Sequence, residues 1–208
     1  PFSHEVVICK LSMLTGRPVK ITLTREEVFY CHRGRHPVLM WVRTGMKKNG
    51  SITAMHFRSY LDGGAYGSYG VASTYYTGAL QTVTYPIANY KFEGLRVFTN
   101  KPPCGPKRGH GTPQPRFAVE VQLDKFAEEL GLSPADLRLK HLMQPNTRAI
   151  NHLTVTTIGL KECIEKVSEA SQFNKRHGQL PLGRVSTVCY RTPNGVGYFL
   201  IVGRYHRT

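Results

Sequence analysis

The sequence predicts an α+β fold, ordered as helix, then strands, then helices, and three observations predict it. Two long strand-like runs, Val38 to Thr44 and Ile52 to Leu61, are joined by a turn containing Asn49-Gly50, the signature of an antiparallel hairpin. Beyond residue 112 the apolar residues recur at helical spacing. Prolines near helix starts (Pro113, Pro134) and a glycine at a helix end (Gly131) frame those later segments. With 208 residues, 40% of them hydrophobic and 20% charged, the chain can bury the core of one domain or of one large domain with an appendage.

Taken in order, His4 to Gly16 reads as a helix, with Val6, Val7, Lys10, Leu11 and Leu14 near helical spacing and Gly16 able to take the left-handed terminating conformation. Pro18 stops it, and Val19 to Thr24 alternates as a strand would. The hairpin follows. Asp62-Gly63-Gly64-Ala65-Tyr66-Gly67 is glycine-dense, which lets backbone approach something closely. Tyr90 to Thr99 alternates again and is expected to be a strand. The Thr112 hydroxyl and Pro113 are expected to start a helix whose buried face carries Val119, Leu123, Phe126, Ala127 and Leu130. A second helix is expected from Ser133 to about Met143. A third runs from Gly159 to about Phe173, with Cys163, Ile164, Val167 and Ala170 inward.

The net charge is +15. Residues 174–208 carry Lys175, Arg176, Arg184, Arg191, Arg204 and Arg207 with no Asp or Glu, so part of the excess belongs to the tail. No basic groove with interleaved aromatics accompanies it, so nucleic acid is not the expected partner. Val196 to Val202, the longest apolar stretch, is far too short to cross a bilayer, and no membrane association is expected. Cys9, Cys31, Cys104, Cys163 and Cys189 are odd in number, widely spaced and form no C-x-x-C pair. That pattern opposes a disulfide framework or zinc ribbon and fits a reducing cytoplasm. His32 and His36 are spaced i, i+4, but Gly34 and Pro37 oppose the helix a two-histidine metal site would need.

The most informative segment runs from Pro102 to Gln114, between a strand and a long helix. Gly105, Gly109 and Gly111 allow tight turning and expose N–H groups, the helix start adds its own, and Lys107 and Arg108 add charge. The pattern suits an oxyanion or a strongly polar cofactor edge; a plain loop with solvated cations fits it equally. It is neither a Walker loop nor a dinucleotide fingerprint.

Lys101-Pro102-Pro103 through Arg108-Gly109-His110-Gly111-x-Pro113-Gln114 resembles the second cofactor loop of molybdopterin-binding large subunits in the xanthine oxidase and aldehyde oxidase family. Leu14-Thr15-Gly16-Arg17-Pro18-Val19-Lys20, Thr24-Arg25-Glu26-Glu27, Arg43-Thr44-Gly45, Asp62-Gly63-Gly64-Ala65-Tyr66 and Glu129-Leu130-Gly131 through Leu137-Arg138-Leu139-Lys140 agree in order. The resemblance implies that residues 1–181 are part of the family's first molybdopterin-binding domain, an incomplete α+β unit, followed by an atypical tail at 182–208.

By the same resemblance, Gly105, Lys107, Arg108, Gly109 and Gly111 bind cofactor, and Arg108 touches the molybdenum ligand sphere without ligating the metal. His110 and Lys107 stand where many relatives carry Phe against an aromatic substrate. Tyr75 and Tyr76 stand where purine-oxidising members place an acidic–arginine pair, so His110, Tyr75 and Tyr76 are the candidate substrate pocket. The Lys-Arg-Gly-His-Gly-Thr variant looks most like 4-hydroxybenzoyl-CoA reductase large subunits. Implied with it are molybdopterin, in the cytosine dinucleotide form, with molybdenum, iron–sulfur clusters and FAD on partner subunits, and a small aromatic substrate.

The family's first glycine-rich loop is expected before Pro1 and its catalytic Glu far downstream, so these residues alone are expected to be catalytically incomplete. Gly195-Val196-Gly197 is followed by Tyr198 where that Glu would be needed. The acid-free tail is read as a shifted reading frame or a truncated gene end. The competing readings are a basic nucleic-acid-binding module and a non-functional remnant with exposed helix faces.

Overall fold

A computed structural model describes residues 3–179, 185–191 and 197–203. Helix α1 (Ser3–Thr15) ends where the sequence places its stop: Gly16 takes φ +63° and its N–H donates to Ser12 O at 2.9 Å. The expected apolar face of α1 is not buried, since Val6, Val7, Leu11 and Leu14 are all exposed. Val19 to Thr24 is not a strand. It runs irregularly, with Ile21 exposed, and among the described residues no strand pairs with it. Thr24 instead opens α2 (Arg25–Cys31) with a reciprocal capping box. Its hydroxyl accepts from Glu27 N, and the Glu27 carboxylate accepts from Thr24 N at 2.7 Å.

The hairpin forms as expected. Strand β1 (Val38–Met46) pairs antiparallel with β2 (Ile52–Asp62), and Gly50 takes φ +87° in the turn between them. Strand β3 (Asn89–Val97) then pairs parallel to β2, so the sheet order is β1-β2-β3. The chain reaches β3 through helix α3 (Gly70–Ala79) and a 3-10 turn (Leu80–Val83), neither of which the sequence reading anticipated.

Helix α4 (Pro113–Leu130) packs on one face of the sheet through Val119, Leu123 and Ala127, all nearly inaccessible, with Phe126 and Leu130 alongside, as its periodicity predicts. The Thr112 hydroxyl does not cap this helix; it turns back to donate to Gly109 O at 2.8 Å. The core adds Ile52, Met55, Tyr85, Ile87, Leu137 and Leu142, and Phe57 stacks on Phe92 with ring centroids 5.9 Å apart. Helix α5 (Pro134–His141) supplies Leu137. Two short strands, β4 (Thr147–Arg148) and β5 (Thr154–Val155), precede α6 (Leu160–Ser171) and α7 (Phe173–Arg176). On α6 the buried stripe runs through Val167 and Ser171, so Ala170, expected inward, is exposed. In the tail, β6 (Val185–Arg191) pairs antiparallel with β7 (Gly197–Gly203), while Gly195 and Val196 lie outside the described residues.

Candidate functional site

The glycine-dense turn after β2 and the segment after β3 are stitched together. Gly63 N donates to Val97 O (2.8 Å), Thr99 N to Gly64 O (3.1 Å), Ala65 N to Lys101 O (3.0 Å) and Cys104 N to Gly63 O (3.0 Å). At Gly64, with φ +71°, a side chain would overlap the Pro102 carbonyl, so here the close approach requires glycine. Asp62 anchors the same junction, accepting from Thr99 Oγ1 (2.6 Å), Lys101 Nζ (2.7 Å) and Gly64 N (3.1 Å). Those bonds, the one from Lys101 foremost, hold its carboxyl at about 2.

From this junction the candidate loop runs back over the segment before β1. Gly105 N donates to Gly34 O at 3.0 Å, and the Arg35 guanidinium donates to Arg108 O at 2.7 Å. Gly109 and Gly111 take φ +83° and +74°. The N–H groups of Lys107, Arg108, Gly109, His110 and Gly111 find no acceptor among the described residues, and the side chains of Lys107 and Arg108 are exposed. The helix start adds less than the sequence suggests. With proline at 113 and 115, Gln114 carries the one N–H among the first three residues of α4. Loop backbone and cations, more than the helix end, make this place receptive to an anion.

The structure gathers His110, Tyr76 and Tyr75. His110 Nε2 lies 2.8 Å from the buried Ser73 hydroxyl, and its ring sits between Tyr69 (5.4 Å) and Tyr76 (5.2 Å). Tyr75 meets Tyr76 edge-on at 5.5 Å and is itself exposed. The Thr77 hydroxyl reaches Gly111 O at 3.1 Å, and a Cβ on Gly111 would lie 2.5 Å from Ser73 O, so α3 seats directly under the loop. Serine at 73, tyrosines at 69 and 76 and threonine at 77 share one helical face. That spacing was the readable signal for an otherwise unremarked helix.

Two more residues support the loop without a sequence signal of their own. Arg96 donates to Gly63 O (2.8 Å) and Tyr66 O (2.9 Å) and approaches His36 Nε2 at 3.4 Å. His36 is buried, and its carbonyl accepts from Gln114 Nε2 at 2.9 Å. Burial first, then the charge of Arg96, lowers its pKa to about 4, so it is neutral at ordinary pH. His32 is exposed, and the described residues hold no cluster of His, Cys, Asp or Glu able to bind a metal ion. Cys104 is a buried thiol whose pKa burial raises, consistent with a packing role.

A polar, oxygen-rich group fits these residues: two exposed cations, with N–H groups and a buried Gln114 Oε1 that find no partner among the described residues. A hollow of about 340 Å³ edged by Ile52, Ile87, His141 and Met143 lies at the opposite end of β2 from this loop.

A family model described as the molybdopterin cofactor-binding domain matches residues 1–142. The chain is 32% identical over 169 residues to the xanthine dehydrogenase molybdenum-binding subunit of Escherichia coli O157:H7, a match covering 81% of this chain and 22% of that protein. It is 33% identical over 167 residues to the nicotinate dehydrogenase large molybdopterin subunit of Eubacterium barkeri, covering 78% of this chain and 39% of that one. The solved aldehyde oxidoreductase from Desulfovibrio gigas superimposes with a TM-score of 0.72 at 25% identity, over 96% of this chain and 24% of that one. The chain therefore spans well under half the length of these relatives. No helix of the described residues is long and apolar enough to cross a membrane.

Proposed function

The chain belongs to the molybdopterin cofactor-binding family of xanthine dehydrogenase and aldehyde oxidoreductase subunits, and from that premise we propose that its Gly105–Gly111 loop holds the polar edge of a molybdopterin group. When bound, that group supplies two-electron redox chemistry at molybdenum. The observation that carries the reading is the row of N–H groups from Lys107 to Gly111 with no acceptor among the described residues, on a loop fixed by Gly34, Arg35 and Thr77.

In this reading Lys107 and Arg108 supply positive charge, with Arg108 nearest the metal's ligand sphere, and Gly105, Gly109 and Gly111 let the backbone present its donors. The loop is held before anything binds, which reduces the ordering cost of capture. His110, with Tyr76 and Tyr75, forms an aromatic wall for an aromatic or heteroaromatic substrate, and the Ser73 hydroxyl fixes the imidazole in orientation. Histidine and tyrosines at these positions favour a phenolic or thioester-linked aromatic ring over a purine. The complete protein then either hydroxylates with water or removes a hydroxyl from a hydroxybenzoyl-CoA-like thioester.

The same reading takes the cofactor in its cytosine dinucleotide form, a general-base glutamate outside residues 1–208, and partner subunits carrying iron–sulfur clusters and FAD. It places the assembly in the cytoplasm, which the free thiols of Cys9, Cys31, Cys104 and Cys163 support.

The test is Arg108→Ala in the complete protein, with molybdenum measured by elemental analysis and pterin by fluorescence after oxidative release. A several-fold loss of both in a normally folded protein is expected. Full occupancy of both would overturn the reading.

A further inference from the structure

Ser73, on α3, is 0% exposed, and its hydroxyl has two partners: His110 Nε2 at 2.8 Å and Tyr69 O at 3.4 Å. The His110 ring lies between Tyr69 and Tyr76, with centroids 5.4 and 5.2 Å away, so it has no room to swing and offer Ser73 its other edge. Thr77, one helical turn beyond Ser73, holds the loop from beneath through Gly111 O. Ring, hydroxyl and carbonyl therefore form one fixed chain of partners.

The supply of protons decides which way that chain runs. An imidazole with one proton and a serine hydroxyl can meet in two ways. In the first, His110 Nε2–H donates to Ser73 Oγ, and the hydroxyl gives its own hydrogen to Tyr69 O. In the second, the hydroxyl donates to Nε2, and Tyr69 O loses it. The first arrangement makes two bonds and the second makes one. A buried hydroxyl has no bulk water to make up the difference, so the first prevails. It leaves Nδ1 as a bare acceptor. On this half-buried ring Nδ1 finds no donor among the described residues.

We propose that Ser73 is a positioning residue that sets specificity: it keeps the His110 proton on Nε2, so that Nδ1 accepts a hydrogen bond from the substrate. The inference rests on the reading of His110 and Tyr76 as the wall of an aromatic substrate pocket, and it narrows that substrate to a ring bearing an O–H or N–H group. An ether, carbonyl or carboxylate oxygen in the same place meets the Nδ1 lone pair and is disfavoured. A site built to pair a substrate donor discriminates against an analogue without one, because its own acceptor is then stranded. The selectivity comes from α3 beneath the loop, not from the loop's cations.

The experiment uses the complete protein carrying isotope-labelled histidine. Solid-state nitrogen NMR at about pH 8, where an imidazole ordinarily holds one proton, reads the two ring nitrogens of His110, assigned by their loss in His110→Gln. A protonated Nε2 and an unprotonated Nδ1 are expected; the reverse, or an even mixture, would overturn the proposal. Equilibrium dialysis with 4-hydroxybenzamide and with 4-fluorobenzamide, an analogue of like size without the O–H, then reads selectivity. The parent should bind the hydroxyl compound at least about tenfold more tightly. In Ser73→Ala that preference should shrink at least about fivefold while affinity for the fluoro compound stays within about twofold, a split that a merely structural role would not produce. No binding of either compound, equal affinities in the parent, or parallel weakening of both in the variant would each count against Ser73. Should the variant not fold, the parent's nitrogen spectrum still decides. Failure of the cofactor reading shows instead in molybdenum and pterin content, which neither measurement uses.

Discussion

Arg96 fills the space that a side chain on Gly70 would need: a Cβ built on Gly70 overlaps the guanidinium and its Nε. The same guanidinium donates to Gly63 O and Tyr66 O, and Gly63 O also accepts from Cys104 N. One arginine thus locks the start of α3, the glycine turn and the base of the candidate loop to one another. Gly70→Ala must displace Arg96 or the helix, which should cost about 1–3 kcal/mol, the range of overpacked interiors. Urea unfolding of the chain measures it, and an unchanged midpoint would show that Arg96 is not a fixed strut.

Gly64 and Gly67 stand three residues apart and should respond oppositely. Gly64→Ala combines φ +71° with a backbone overlap at Pro102, and should cost about 3 kcal/mol or more. Gly67→Ala meets nothing within 4 Å and should stay within about 0.5 kcal/mol of the parent. Equal effects would mean that the turn does not rest on Pro102 as described.

What the sequence made legible follows from how local each cause is. The hairpin and α4 were readable because Asn49-Gly50 and the row Val119–Leu123–Ala127 carry their own signals. Val19 to Thr24 alternates like a strand, yet strand formation needs a neighbour, and no described strand pairs with it. Thr24 and Glu27 were in view, but their reciprocal capping marks a helix start that alternation masked. Helix α3 hid in Val71-Ala72-Ser73-Thr74-Tyr75-Tyr76-Thr77-Gly78, a weak helix former, because contacts with Phe92 and the loop stabilise it. The loop's glycines and cations were visible as a pattern. Its supports, Arg96 and His36, were not, since only the parallel pairing of β3 brings residue 96 beside residues 36 and 63.

His36 gives a pH dependence whose sign is fixed by its environment. Its pKa falls from an ordinary 6.5 to about 4 in the fold, so the unfolded chain binds the proton more readily. The stability this contributes is complete above pH 6.5 and is lost as pH falls from there toward 4. Asp62, held at about 2, contributes in a lower window, losing its share as pH falls below the ordinary carboxylate range toward 2. Denaturant midpoints measured every half unit should therefore decline first between pH 6.5 and 4. His36→Gln, which keeps an acceptor for Arg96, should flatten that first decline and leave the second. A decline of the same size in the variant would assign it to other groups.

Glu120 tests whether α4 and α5 are joined by charge or by packing alone. Its carboxylate accepts from Arg138 Nε at 2.7 Å and from the Tyr85 hydroxyl at 3.1 Å, and Arg116 approaches it at 3.6 Å. Tyr85 is buried, and burial, with Glu120 beside it, pushes its hydroxyl well above the usual phenol range, so it stays a donor. Removing the carboxylate strands the Nε of Arg138, which is largely shielded from solvent and keeps Asp124 (2.8 Å) and the backbone carbonyls of Pro134 and Glu120, and leaves the Tyr85 hydroxyl without its acceptor. Glu120→Ala should therefore cost roughly 2–4 kcal/mol, because stranded buried donors dominate the loss. Tyr85→Phe, which deletes donor and demand together, should cost about 1 kcal/mol. The double variant should fall short of the sum, since Tyr85 no longer needs Glu120 once its hydroxyl is gone. Additive losses across that cycle would mean that Glu120 and Tyr85 act separately, and a Glu120→Ala loss below about 0.5 kcal/mol would mean that apolar contact alone joins the helices. By contrast, the pair of Lys161 and Glu165 on exposed α6 is 3.9 Å apart in solvent, and Lys161→Ala should leave the unfolding midpoint where it was.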